Sequence, residues 1–234
     1  MQEERRAWRG AVAGIAPERL VFLDESAVLT NLVRTYAWSR RGEHAHGTAP
    51  AGRWDRVTIL GALGGEGIIG AMSIAAATDG AVFRTYLERV LLPELRRVKP
   101  DAVLVMDNLG AHKSAAVAAL LDGSGFAYRY LPRYSPDLNP IEPAWSKVKG
   151  LLRKAAARTV DELHAALGPA LAAITREDTR GFFRHAGYGC PNWPAIRSSR
   201  VSTLSMPWTR KLALGARPPV VLPSERFPAP SVHQ

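Results

Sequence analysis

Cysteine is nearly absent: Cys190 stands alone and has no second thiol to pair with. That excludes an internal disulfide and any zinc site built on cysteine ligands, and it fits a reducing compartment. Long apolar runs are missing as well. No stretch approaches the roughly 20 residues that a membrane-spanning helix needs, and the charged opening MQEERRAWRG has no apolar segment behind it to act as a signal peptide. A soluble, cytoplasmic chain with no membrane partner is expected. Acids are scarce relative to bases, 21 against 31, which leaves a net charge of +10 at pH 7 and favours a polyanionic partner. No internal repeat occurs. The glycines of GALGGEGIIG lack the following Gly-Lys-Ser/Thr of a phosphate loop, so they read as a hairpin.

The charge and the prolines are unevenly spread. Residues 190–234 hold eight of the 17 prolines and six basic residues (Arg197, Arg200, Arg210, Lys211, Arg217, Arg226) against one acid, Glu225. Half of the net charge therefore lies in a Pro-rich, aperiodic tail that is expected to be disordered. Residues 1–18 read as a short helical lead-in and 19–189 as one folded domain. Within it, Leu20–Leu23 is an apolar strand ending in Asp24 and Glu25. TYAWSRRG alternates weakly and reads as a second strand, and two β-branched runs flank Gly64-Gly65. Helical spacing of Val82, Phe83, Tyr86, Leu87, Val90, Leu91 and Leu95 predicts a helix over 81–98. AVLVMDN is an uninterrupted apolar strand, as expected when both faces are buried. A helix over 112–121, a strand at FAYRYLP and helices over 140–157 and 159–174 follow. Such an order gives an α/β fold, a mixed sheet with helices on its faces.

Three carboxylates stand out. Asp24 and Asp107 each follow an apolar run, at the carboxyl end of a strand, where α/β sheets gather ligands. Glu142 opens a helix with the apolar stripe Ile141, Trp145, Val148 and Leu152. Each has a bland alternative: Asp107 suits a turn or helix cap, and Asn139 with Glu142 three residues on matches a capping box. Three carboxylates held together repel unless cations neutralise them, and hard oxygen ligands suit Mg²⁺ or Mn²⁺. A pair of such ions could activate a water and stabilise the leaving oxygen in phosphodiester cleavage.

FLDES, MDNLGAHKS and LPRYSPDLNPIEPAWSKVKG resemble the three catalytic motifs of the bacterial insertion-sequence branch of the Tc/mariner superfamily of DDE transposases, with 34 residues between Asp107 and Glu142. TYAWSRRGE, RVTILGAL and GFFRHAGY also match stretches those proteins share, so the resemblance runs from about Arg5 to Tyr188. It implies an RNase H-like fold, a five-stranded mixed sheet with the first Asp on the first strand, the second after the fourth and the Glu on a late helix. It implies Asp24, Asp107 and Glu142 as catalytic residues and metal ligands. It further implies hydrolysis at transposon ends and attack of the new 3′-hydroxyl on target DNA, usually at a TA dinucleotide, in a bacterial, nucleoid-associated setting. The helix-turn-helix region of the family has no counterpart ahead of Arg19. The chain therefore resembles the second product of a split transposase, working as a homo-oligomer or with a partner subunit that carries the helix-turn-helix.

Lesser residues join these. Asn108 and His112 adjoin a ligand and suit a supporting or phosphate-contacting role, although His112 equally suits a helix surface. Arg40 and Arg41, beside Trp38, could clamp DNA while the indole stacks on a base or packs in the core. His44 and His46 read as loop residues. Arg133, Lys147, Lys149 and Arg153 belong to a basic cluster around Glu142, with only Asp137 and Glu142 as acids between 129 and 158; this favours a phosphate-facing patch. Two other readings compete with a transposase: another RNase H-like nuclease such as an integrase, and a catalytically silent remnant that only binds DNA or a partner subunit.

Overall fold

A computed structural model of the chain describes residues 1–189, Thr35 and Arg53 excepted, together with Val221 and Leu222. Apart from those last two residues, the tail at 190–234 lies outside the described residues. The sheet is mixed, in the order β5-β4-β1-β2-β3-β6. β1 (Leu20–Leu29), β2 (Arg56–Gly64) and β3 (Gly67–Ile74) form an antiparallel meander. β4 (Val103–Met106) and β5 (Ala127–Tyr130) add to β1 in parallel. Together they make the five-stranded mixed sheet that the family resemblance implies, and the two-residue β6 (Val221–Leu222) extends the far edge in parallel with β3.

Side-chain alternation divides the core into two layers. Leu20, Phe22, Val103 and Val105 face one way and pack with α1 (Gln2–Val12), α5 (Ile141–Ala155), α6 (Val160–Ala172) and α7 (Arg176–His185). Val21, Leu23, Leu104 and Met106 face the other way, against α2 (Gly80–Tyr86), α3 (Leu92–Val98) and α4 (Ala115–Asp122). The first four residues of β1, and all of β4, are therefore apolar at successive positions because neither face meets water there. A π-turn, Leu87–Leu91, joins α2 to α3, just ahead of Pro93, which has no N–H for an i→i−4 bond. Among the described residues, no helix is long and apolar enough to cross a membrane.

Three expectations need correction. TYAWSRRG is not a strand: no described residue from 32 to 55 belongs to a helix or strand. Tyr36 is 90% exposed and Trp38 102%, so neither side of this segment has anything to bury against. The core alternative for Trp38 fails with it. β1 does not end at Asp24, because the antiparallel partner β2 carries it on to Leu29 opposite Arg56. Finally, α4 begins at Ala115 rather than at 112; Ser114 caps it, accepting from Val117 N–H, and a short 3₁₀ turn, Ala111–Lys113, precedes it.

Phe22 is fully buried, with its ring 5.4 Å from that of Phe183 and 4.9 Å from that of Tyr188. Phe22→Ala should therefore cost about 3–5 kcal/mol in urea unfolding, whereas Leu29→Ala, at the exposed end of the same strand, should cost far less. Equal effects would contradict this packing.

Candidate active site

The site begins with a register. β1 and β4 run parallel with Leu23 opposite Met106. The next residues, Asp24 and Asp107, therefore emerge side by side at the point where β4 stops and β1 continues. Asp24 shares the parity of Leu20 and Phe22 and faces the α5 layer, where Trp145 Nε1 donates to its Oδ2 at 3.1 Å. Its carboxyl group also accepts from the backbone N–H of Glu25. Glu25 itself points to the opposite face.

Asp107 lies just beyond β4, and its Oδ1 accepts from Leu109 N–H at 3.3 Å. The turn role open to it in the sequence is thus real and coexists with a place in the site. Its Oδ1 also lies 2.5 Å from Nδ1 of His112. His112 is not a surface residue: it is 1% exposed and its ring stacks on Phe83 at 4.0 Å between centroids. Its backbone carbonyl accepts from the Tyr130 hydroxyl. The Nδ1 contact is close but not aligned as an N–H···O bond, and Nε2 has no hydrogen-bond partner among the described residues.

Glu142 sits exposed in the first turn of α5. The capping box has not formed. Pro140 is the N-cap, no side chain caps the helix, and the Glu142 N–H instead donates to the Asn139 backbone carbonyl at 3.2 Å. Asn139 is 4% exposed, and its Oδ1 has no hydrogen-bond partner among the described residues. The Glu142 carboxylate is consequently free of capping duty. The segment ahead of it is pinned by α1. Arg5 binds Ser135 and both carboxylate oxygens of Asp137, while Trp8 donates to the Tyr188 hydroxyl, which donates in turn to the Leu138 carbonyl at 2.7 Å.

Asp24, Asp107 and Glu142 border one cleft of about 420 Å³, together with Asn108, Arg133, Ser135 and Asn139. Burial pushes the Asp24 carboxyl up to about 7, and the charges of Glu142 and Asp107 push in the same direction against the donors Glu25 N–H and Trp145. Among the described residues no three His, Cys, Asp or Glu side chains stand close enough to hold an ion as they are. The donor set still fits a hard divalent cation. All the candidate ligands are oxygens, the buried Asn139 oxygen is unsatisfied, and a carboxyl pushed up by burial and by its neighbours' charge would ionise beside a cation.

Other residues singled out by sequence fall in different places. Asn108 and Arg133 line the cleft. Arg40 and Arg41 are exposed on the irregular 32–55 segment. Arg153 lines a second, basic groove with Arg34, His46, Lys154 and Arg158, and Lys149 is half-buried on α5. Lys147 is tied to Asp178 of α7, Nζ to Oδ2 2.5 Å. Trp145 and Asn139 went unrecognised as parts of the site. Trp145 reads simply as core, and the only hint was its place three residues after Glu142, one turn along the same helix.

A family model described as DDE superfamily endonuclease matches residues 19–164. None of the curated proteins compared with the chain matches it in sequence. Among solved structures, the fold is similar to that of the Mos1 transposase paired-end complex with left transposon end (TM-score 0.64, 20% identity, 79% of this chain and 56% of that one). It is also similar to the Mos1 mariner paired-end complex with Mn (0.61, 21%, 79% and 57%) and to the catalytic domain of Mos1 mariner transposase (0.58, 16%, 79% and 86%). The chain thus spans little more than half the length of the chains in the paired-end complexes and most of the isolated catalytic domain.

Lys147 and Asp178 allow a test of how α7 is held to α5. Burial pushes the Asp178 carboxyl up, but hydrogen bonds from Lys147 and from the Thr175 hydroxyl and N–H outweigh it and bring it down to about 2. A folded-state value below the unfolded one stabilises the fold fully above about pH 4, and this contribution is lost as pH falls toward 2. Asp178→Asn should therefore be less stable than wild type at pH 6, and the gap should close in urea titrations run at successively lower pH. A gap independent of pH would contradict the ion pair.

Proposed function

Since the chain belongs to the DDE superfamily endonucleases, we propose that it is the catalytic domain of a transposase, spanning residues 19–189, that cuts DNA at transposon ends and joins the freed 3′-hydroxyl to target DNA, with TA as the candidate target. The observation that carries this reading is the single cleft that Asp24, Asp107 and Glu142 border together, where burial and the other two acids push the Asp24 carboxyl up. A site so crowded with negative charge is poor for a phosphodiester unless cations enter with it. The paired-end complexes of the similar fold, one with Mn and one with Mg, support the same division of parts.

Asp24, Asp107 and Glu142 would hold two Mg²⁺ or Mn²⁺ ions, which when bound supply activation of the attacking oxygen and stabilisation of the leaving one. The chain's own groups do the rest. His112, wedged on Phe83, limits the rotamers open to Asp107. Arg133 at the cleft, with Asn108, would contact the scissile strand, and Lys149, Arg153, Arg40 and Arg41 would hold flanking phosphates. Lys147 contributes to that patch only if it leaves Asp178. In the first step a water oxygen bonds to phosphorus and the bond to the departing strand's oxygen breaks. In the second, the 3′-hydroxyl takes the water's place. The +10 charge supplies sequence-independent affinity for DNA in a bacterial cytoplasm. A second copy, or a subunit bearing a helix-turn-helix, would pair two transposon ends.

Replacing Asp24, Asp107 or Glu142 singly by Ala should reduce Mg²⁺- or Mn²⁺-dependent nicking of supercoiled plasmid to background. Binding to duplex DNA in a gel-shift assay should remain near wild type, because phosphate contacts come from Lys and Arg. Near-normal nicking by any one variant would remove that residue from the site.

A further inference from the structure

Gly61 is the residue of β2 directly opposite Asp24 of β1. A Cβ placed there would stand 2.9 Å from Cη2 and 3.4 Å from Cζ2 of Trp145, closer than atoms pack. The indole of α5 thus lies across the bare backbone of β2 at the level of Asp24. It is 2% exposed. An indole N–H can only donate, and when buried it must find an acceptor. It finds Asp24 Oδ2 at 3.1 Å. The same helix carries Glu142 one turn earlier, so α5 brings one carboxylate to the cleft and grips another.

We infer that Trp145 is a positioning residue for Asp24: its indole N–H holds the carboxylate in the orientation from which it ligates a divalent cation, and Gly61 is the gap in β2 that lets the ring reach it. The inference rests on the reading of Asp24 as a metal ligand. A neutral donor suits this task. It steadies the ionised carboxylate, as partners of ligating carboxylates do, yet carries no charge of its own to compete with a cation. A ring present only to fill the core would not need the N–H.

Mn²⁺ binding to the full chain, measured by isothermal titration calorimetry, separates the two ideas. Trp145→Phe keeps a ring but loses the donor, and Gly61→Ala keeps the donor but pushes the ring away. Each should weaken Mn²⁺ binding about tenfold or more while circular dichroism stays that of the folded protein, and Asp24→Ala should weaken it further still. Wild-type affinity in both the Trp145→Phe and Gly61→Ala variants, with loss in Asp24→Ala, would overturn the role of Trp145 and leave the metal reading standing. Wild-type affinity in Asp24→Ala would overturn the metal reading and this inference with it. Should both substituted proteins fail to fold, the wild type decides. One of its six indole N–H signals should shift as Mg²⁺ is added and be displaced in Asp24→Asn. The absence of any signal with both properties would overturn the inference.

Discussion

Everything in the cleft depends on the parallel pairing of β1 with β4. Leu23 opposite Met106 determines that Asp24 and Asp107 are neighbours. A slip of one residue would turn Asp24 into the α2–α3 layer and Leu23 toward the cleft. The slip is resisted by the apolar side chains alternating on both faces of these two strands, Leu20 to Leu23 and Val103 to Met106, all of them buried. Removing these side chains from water stabilises by about 25 cal/mol per Å² of apolar area, and every one of them would lose its layer in a slip.

The third carboxylate reaches the cleft by a different route. α5 lies across the sheet by its buried stripe, Ile141, Ala144, Trp145, Val148 and Leu152. Its first turn is set by the loop before it, which α1 holds in two ways. The Arg5–Asp137 pair is partly exposed, with Asp137 at 58%, so solvent screening leaves it little weight. The buried relay from Trp8 through Tyr188 to the Leu138 carbonyl matters more, since breaking it leaves a buried donor or acceptor unsatisfied, at about 1–3 kcal/mol. α1 is accordingly part of the same core rather than an appendage, with Trp8 and Val12 buried in it.

Stability and chemistry pull against each other at Asp24. Folding alone would favour an apolar residue at this half-buried position, yet a carboxyl stands there with two further acids nearby. The chain offsets part of that cost with donors, Glu25 N–H and Trp145, and none of these is a cation. The basic residues stand farther out: Arg133 on the cleft's rim, Arg153 and Lys154 in a separate groove. Among the described residues, no Lys or Arg forms a salt bridge with Asp24, Asp107 or Glu142.

Much of this was legible in the sequence, and the reason is local. The uninterrupted apolar run before Asp107 marks a doubly buried strand, the stripe of α5 marks its buried face, and the three motifs mark the acids. What failed depended on partners distant in the chain. β1 runs on through the polar Asp24-Glu25-Ser26 because β2 pairs with it there, and no local pattern records such a partner. TYAWSRRG alternates like a strand but finds no neighbour, so alternation alone does not make one. His112 sits in a polar stretch, yet it is buried and its ring lies against Phe83, a partner distant in the chain. Trp145 and Asp24 are 121 residues apart, and Gly61, which lets them meet, carries no side chain to mark its role. The sequence by itself therefore determined which acids and which layers this protein has. Tertiary structure alone decided which side chains hold those acids in place, because a hydrogen bond across a sheet depends on register and on the space left by a third residue.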